Sequence, residues 1–446
     1  MLINFSLENW MSFRDKTEFT MVATREQQHG DRLTKLPKYR FRALPTAAIY
    51  GGNASGKTNF FKAINFAKNY ITKGVLPDSS INIDPFLLDK DKKLSTSFTF
   101  EILVDTDIYE LQFSVTPTKV LEERLTKISS TSEKILYHRI SDSNEPNLHS
   151  SIKSKRLEFV FEGTRDNQLF LTNSVFQKID TFKPVFSWFA QTLELVAPDT
   201  RFGAFEHFIT ESSKLYETMN VILPNLDTGI HHLGGEDVSM ESLALPEALK
   251  QKLIEDVKEG GAIKINNDDE KIIITRLDNE IKVKKLYTYH RNNLGKSTRF
   301  EMRQESDGSK RIIDLLPAFL DLSSTKIPKV YIIDEIERNL HSVLVRQLLE
   351  VFLSNRTDKS RNQLMFTTHN LLLMDQSLLR RDEMWITERD TQGRSVLKSF
   401  SEFEDLRNDK DLLKDYIQGR MGGIPNIHVE SIYSNRIRES EGEVKK

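Results

Sequence analysis

Gly51-Gly52-Asn53-Ala54-Ser55-Gly56-Lys57-Thr58 satisfies G-x-x-x-x-G-K-[ST], a spacing whose chemistry is phosphate binding. The glycines let backbone N–H groups turn inward around an anion, and a helix starting where the loop ends adds its positive dipole end. Lys57 is then the cation for the β- and γ-phosphates, the Thr58 hydroxyl a Mg²⁺ ligand, and Asn59 the next residue of the cradle. A second group lies at Val330-Tyr331-Ile332-Ile333-Asp334-Glu335, an apolar run ending in two acids. Ligands of parallel sheets sit beyond the carboxyl ends of the strands, so such a strand delivers carboxylates to a nucleotide site. Asp334 is read as the Mg²⁺ ligand, through water, and Glu335 as the group that orients or deprotonates the attacking water. The expectation is a chain that binds ATP with Mg²⁺ and hydrolyses it.

The elements that must position these residues are legible around them. Thr46–Tyr50 reads as a strand entering the glycine loop, and Asn59–Lys73 as the helix leaving it, with Gly74 as its stop. Leu2–Leu7 and Thr17–Val22 alternate like paired strands, and Arg25–Arg42 reads as a polar surface loop. Phe98, Phe100, Ile102 and Val104 share one face of a strand, and Tyr109, Leu111, Phe113 and Val115 answer after the turn Asp105-Thr106-Asp107. Lys119–Arg139 and Arg156–Phe161 read as further strands, while 169–260 reads as largely helical, with Pro246–Glu259 the clearest amphipathic stretch. Ala262–Ile265, Lys271–Arg276, Leu364–Thr368 and Met384–Thr387 complete the strand candidates, and the tail beyond Ile427 is expected to fray. No heptad repeat is sustained, so no long coiled coil is expected.

Composition narrows the class. Sixty-three basic and 65 acidic residues in 446 give a net charge of -2, so any nucleic-acid contact must come from a local patch. The candidate patch is Lys282, Lys284, Lys285, His290, Arg291, Lys296, Arg299 and Arg303. The absence of cysteine excludes disulfides and thiolate metal sites. No apolar run is long enough to span a bilayer and no signal peptide is seen, so a cytoplasmic chain without membrane contact is expected.

Spacing then selects among nucleotide-binding architectures. Asp334 follows Lys57 by 277 residues, a gap that resembles the ABC-type ATPase heads of the SMC and RecF group. Ser306-Asp307-Gly308-Ser309 lies 28 residues before Asp334, at the start of the helix Ile312–Leu322, where such heads carry a signature motif capping the partner's γ-phosphate. Ser306 and Gly308 are its candidate nucleotide contacts. His369, 35 residues after Asp334 at the end of a strand, looks like their switch histidine, and Glu337-Arg338-Asn339-Leu340-His341 fills the D-loop position. The resemblance implies an α/β P-loop NTPase of the ABC/SMC-head type. It divides into a P-loop lobe (1–90), a β-rich lobe (91–168), an inserted helical or mixed region (169–295) and a signature, Walker B and switch-histidine lobe (296–446).

The opening Leu2–Phe13, Asp84-Pro85-Phe86, Glu305–Gly308, Thr367-Thr368-His369-Asn370 and Tyr416–Pro425 run together with these motifs. The set resembles the RloA/AbiL-type AAA-family ATPases of bacterial abortive-infection (anti-phage) systems, with PARIS-type and OLD-type ATPases as relatives. That resemblance implies a homodimer or higher homo-oligomer that senses a phage trigger protein and governs a separate toxic effector, nuclease-like and of Toprim type in some relatives. With 77 residues after His369, no such nuclease is expected within these residues. One departure stands out: ABC heads carry a Q-loop glutamine, and residues 59–111 contain none, so Asp84 or a backbone carbonyl replaces that contact or the loop does something else. The alternative reading is a RecF/SMC-like ATPase acting in DNA binding or repair; a transporter ATPase fits less well.

Overall fold

The computed structural model describes residues 1–90, 94–141, 147–205, 209, 213–323, 327–403 and 412–423. The tail beyond Ile427 and the Ile424-Pro425 end of the last motif lie outside them. Contacts divide the chain into two compact units, one of residues 1–191 and 365–446 and one of residues 192–364. Among the described residues no helix is long and apolar enough to cross a membrane.

The first unit contains a seven-stranded antiparallel sheet in the order Asn147–Leu148, Glu133–Ile140, Val120–Ile128, Asp107–Val115, Thr96–Val104, Leu2–Glu8, Thr17–Thr20. The alternation seen in the sequence sets its register: Phe98 lies opposite Phe113 and Phe100 opposite Leu111 on one buried face. The two N-terminal strands join this same sheet, with Phe5 opposite Phe100. Strand Thr46–Tyr50 belongs to a separate layer and pairs in parallel with Met384–Arg389, which turns back into Ser395–Ser399. The helix Lys57–Lys73 lies between, its buried Phe60 in edge contact with Phe5 and Phe13 and tilted against Phe19. Trp10 packs on Phe66 and Phe98 in the same way and donates from its indole to the Asn59 carbonyl (3.0 Å). Large aromatic groups thus fix the helix that carries the glycine loop.

The second unit is mixed. Strands Ile230–Val238, Glu280–Arg291, Lys271–Leu277 and Ala262–Asn266 form a sheet, with Ser297–Glu301 added on Glu280–Arg291. Leu193–Val196 pairs in parallel with Val330–Ile333. Helices Asp307–Ser323 and Ser342–Ser354 complete the part that bears candidate residues. The architecture is α/β with several sheets.

Three local expectations are corrected. Arg156–Phe161 is not a strand but part of the helix Lys155–Glu162, whose start is capped by the Ser154 hydroxyl accepting from Leu157 N–H; the cap overrides the apolar alternation. The stretch 169–260 is less helical than its composition suggests, because Leu193–Val196 and Ile230–Val238 are strands. Arg25–Arg42 is not simply a surface loop: Leu33 and Thr34 are fully buried, and Thr34–Leu36 pairs with Phe41–Ala43. Arg32 from this segment meets the buried Glu383 carboxylate, which also accepts from Arg380 N–H (2.9 Å).

Burial pushes the Glu383 carboxyl up to about 7, with Arg32 opposing the shift. A carboxyl raised in the folded state contributes stability present below its unfolded pKa of about 4.3 and lost as pH rises to the folded value. Stability of the Glu383→Gln variant should therefore lack that fall. Urea midpoints of parent and variant at about pH 5 and about pH 8 test this: the parent's advantage should shrink at the higher pH, whereas a constant difference would contradict it.

Candidate functional site

The candidate residues fall on both units. Gly51 to Asn59 and His369 belong to the first, and Ser306, Gly308, Asp334 and Glu335 to the second.

In the first unit the glycine loop leaves strand Thr46–Tyr50 and enters the 17-residue helix Lys57–Lys73. Gly51 (φ 152°) and Gly56 (φ 126°) hold backbone conformations that side chains disfavour, and Ala54 (φ 60°) is also left-handed. Gly56 precedes the helix without any side-chain cap, which leaves the first helical N–H groups directed at the loop's hollow. The Lys57 ammonium donates to the carbonyls of Gly51 (2.7 Å) and Gly52 (3.0 Å), and lies 3.4 Å from His369 Nδ1. An ammonium has no lone pair, so Nδ1 facing it is the acceptor nitrogen and the ring proton sits on Nε2. Exposed His369 can then donate to a phosphate oxygen. Asn53 and Ala54 form the exposed crest, and the Asn59 amide turns inward to Ser12 Oγ (2.8 Å).

The walls of the loop come from residues that motif reading passes over. Thr387 Oγ1 is 2.6 Å from Ser55 Oγ and donates to the Tyr50 carbonyl (3.3 Å). Ser395 Oγ donates to the Ser55 carbonyl (2.6 Å), lies 2.8 Å from Ser12 Oγ, and its own N–H bonds the Ser12 carbonyl (2.7 Å). Gly52 N–H bonds the Gly423 carbonyl (3.0 Å), which Tyr416 also holds (2.9 Å), so the Tyr416–Gly423 motif braces the loop. The opening motif is tied to the Asp84–Phe86 segment: Met11 (φ 48°) donates its N–H to the Asp84 carbonyl (2.6 Å), and the Asn9 side chain binds Phe86 N–H and the Ser95 carbonyl. A signal for Ser395 was available, since the Asp390–Gly393 turn and the alternation Ser395, Leu397, Ser399 mark a hairpin after Met384–Arg389.

In the second unit Ser306 Oγ accepts from Ser309 N–H (3.1 Å) and sits 3.0 Å from Ser309 Oγ at the start of helix Asp307–Ser323. A Cβ on Gly308 would come within 2.9 Å of the Asn339 carbonyl, so glycine is what lets the Asn339–His341 turn lie against this helix end. Ser306, Gly308, Ser309, Asn339 and His341 line a cleft of about 370 Å³ with Asn225–Thr228 on its rim. Asp334 is buried at the end of Val330–Ile333, its N–H on the Val196 carbonyl (2.9 Å). Glu335 follows in a left-handed conformation (φ 50°), its carboxylate 3.8 Å from Arg338.

This donor set fits a triphosphate with magnesium. The Thr58 hydroxyl, second in the helix, has no hydrogen-bond partner among the described residues, and Asp334 offers a carboxylate at a strand end. Among the described residues no three His, Asp or Glu side chains gather to hold a metal. Both Thr58, in the first unit, and Asp334, in the second, are hard-oxygen donors of the kind magnesium prefers.

Residues 47–375 match the family described as "AAA domain, putative AbiEii toxin, Type IV TA system". Among solved structures, the SMC head domain from Thermotoga maritima is similar at 14% identity and a TM-score of 0.35, covering 89% of this chain and 98% of that one. An SMC head bound to the C-terminal winged-helix domain of ScpA is similar at 12% identity and a TM-score of 0.38, covering 89% and 97%. No curated protein matches the chain.

The Ser395 contact with the loop has a measurable consequence. A Cβ on Gly56 would lie 2.6 Å from Ser395 Oγ in a backbone conformation already unfavourable to alanine. Gly56→Ala should cost about 2–3 kcal/mol in stability and abolish nucleotide binding, whereas Ser395→Ala should cost about 1 kcal/mol and weaken binding only several-fold. Nucleotide titration with denaturant unfolding checks both; full affinity in Gly56→Ala would contradict this description of the loop.

Proposed function

The chain belongs to this AAA-domain family, and on that premise we propose that it is an ATP-binding and ATP-hydrolysing switch subunit of a bacterial anti-phage defence module, controlling a separate nuclease-type toxic effector. The observation that carries the nucleotide half of this reading is the Lys57 cradle. A buried ammonium is held by two loop carbonyls and faced by the imidazole of a residue 312 positions away. A structural lysine gains nothing from strained glycines around it, whereas a phosphate-binding one needs the backbone N–H groups they expose.

In this reading Lys57 and the first N–H groups of the helix hold the β- and γ-phosphates, and His369 Nε2–H touches the γ-phosphate. Bound magnesium supplies charge neutralisation of the phosphate oxygens. Glu335 orients a water for attack on the γ-phosphorus and takes its proton as the bond to the ADP oxygen breaks. Ser306 and Gly308 cap the γ-phosphate held by a second copy, so the working form is a homodimer or a higher homo-oligomer. The effector and a phage-derived trigger would then act by binding the ATP and ADP states with different affinity, the only way a nucleotide can drive a switch. Turnover is accordingly slow, and the setting cytoplasmic.

The DNA-repair reading rests on the basic run, and the structure draws much of that run into ion pairs. Buried Lys285 binds Glu270 (2.8 Å), His290 binds Glu305 (2.7 Å), Arg303 binds Glu301 (2.7 Å), and Arg299 binds Glu236. Neutralised side chains contribute little to phosphate-backbone affinity, which favours the switch reading.

Lys57→Ala should abolish ATP binding. Glu335→Gln should bind ATP as the parent does yet hydrolyse it at least about a hundredfold more slowly, because the change removes the base and keeps the shape. Equilibrium binding and phosphate release measured on both variants test the assignment; parental turnover in Glu335→Gln would contradict it.

A further inference from the structure

Arg311 is 2% exposed, on helix Asp307–Ser323 five residues after Ser306. Its neighbours Arg201 and Lys271 already serve the nearby acids. Lys271 donates to Asp314 Oδ1 (3.1 Å), Arg201 lies 3.7 Å from Asp314 Oδ2, and Arg201 also pairs with Asp268. Arg201, Lys271 and Arg311 thus share the Asp314 carboxylate, whose Oδ2 has no hydrogen-bond partner among the described residues. Burial has the largest effect on the Arg311 guanidinium, pushing its pKa down to about 10, with Asp314 opposing. A buried guanidinium with unbonded N–H groups is costly, so a further acceptor is called for.

The geometry says which acceptor. Arg311 donates from one Nη to the Ala197 carbonyl (3.3 Å), while Asp334 N–H bonds the preceding carbonyl, Val196. Arg311 therefore stands at the strand end from which Asp334 and Glu335 project. Glu335 and Arg338 are among the charges that act on it. Its Nε and second Nη, both buried, have no hydrogen-bond partner among the described residues. Those two atoms form the side-on edge of the guanidinium that receives a carboxylate through two parallel bonds. Glu335, meanwhile, is 3.8 Å from the half-exposed Arg338, a long and weak pairing.

We propose that Arg311 is the positioning residue for Glu335: when the signature helix engages nucleotide, the unsatisfied edge of Arg311 takes up the Glu335 carboxylate, draws it off Arg338 and fixes it toward the attacking water. A carboxylate gripped on one edge keeps lone pairs for the water, so it can orient and accept at once. The helix that reads the nucleotide would in this way switch on the residue that hydrolyses it. The inference rests on the ATPase reading above and adds to it the coupling between helix and base.

The test is a double-mutant cycle on the full chain with ATP and Mg²⁺. Arg311→Gln should bind ATP like the parent and lose at least about tenfold in kcat. Combined with Glu335→Gln it should be no slower than Glu335→Gln alone, since a residue acting only through Glu335 has nothing left to position. Effects of the two changes that multiply would overturn the coupling while leaving the ATPase reading intact, as would parental kcat in Arg311→Gln. A parent chain that binds no ATP or hydrolyses none overturns the ATPase reading and the coupling with it. If Arg311→Gln does not fold, Arg311→Lys carries the same cycle: it keeps the charge but not the two-pronged edge, and should keep ATP binding and lose turnover.

Discussion

A buried ammonium has to be surrounded by oxygen, and in the first unit the Gly51 and Gly52 carbonyls accept from Lys57. Carbonyls can point inward there only because the loop adopts conformations that suit glycine, and the loop keeps them only because hydroxyls hold its outside. Ser12, Ser55, Thr387 and Ser395 are all buried and bonded to one another or to loop carbonyls. The aromatic packing around Phe60 serves the same end, since it fixes the helix whose first turn carries Lys57 and Thr58.

The second unit meets a related problem with the opposite sign. In the proposed reading Asp334 and Glu335 serve the phosphate as acids; Asp334 is buried and Glu335 sits in a left-handed backbone. Strain of that kind costs about 1–3 kcal/mol and persists where function over-determines the geometry. On the signature helix the matching feature is the buried edge of Arg311, unbonded among the described residues, in a chain whose proposed task is to change state with nucleotide.

How much of this the sequence disclosed depends on where the determining contacts lie. The glycine loop, its strand and its helix were legible because their determinants are local: glycine for φ, helical spacing after Lys57, an apolar run before it. The hairpin Phe98–Val115 was legible for the same reason, its period of two being set by one buried face. Lys155–Glu162 was misread because a single capping hydroxyl decided it against the pattern. Arg32 and Glu383 could not be paired from sequence, since two charged residues in a polar segment look solvated until the fold encloses them. Ser395 and Thr387 were missed as site residues for another reason. They act on the loop's outer surface, where no phosphate chemistry marks them, and only the return of the chain in Ser395–Ser399 brings them there. Arg311 stands two residues beyond a motif read for its serine and glycine, and its importance appears only once its acceptors are counted.

The central claim is that nucleotide held by the P-loop of one copy is completed by the Ser306–Gly308 turn of another. ATP turnover by a mixture of Lys57→Ala and Ser306→Arg proteins tests it most directly. The first should lack nucleotide binding but keep a sound signature turn; the second should bind ATP but block the turn with bulk. The account predicts that each variant alone is inactive and that mixing restores turnover, through the one site per pair that unites a sound P-loop with a sound signature turn. Normal turnover by Ser306→Arg alone, or a mixture as inactive as its components, would contradict it.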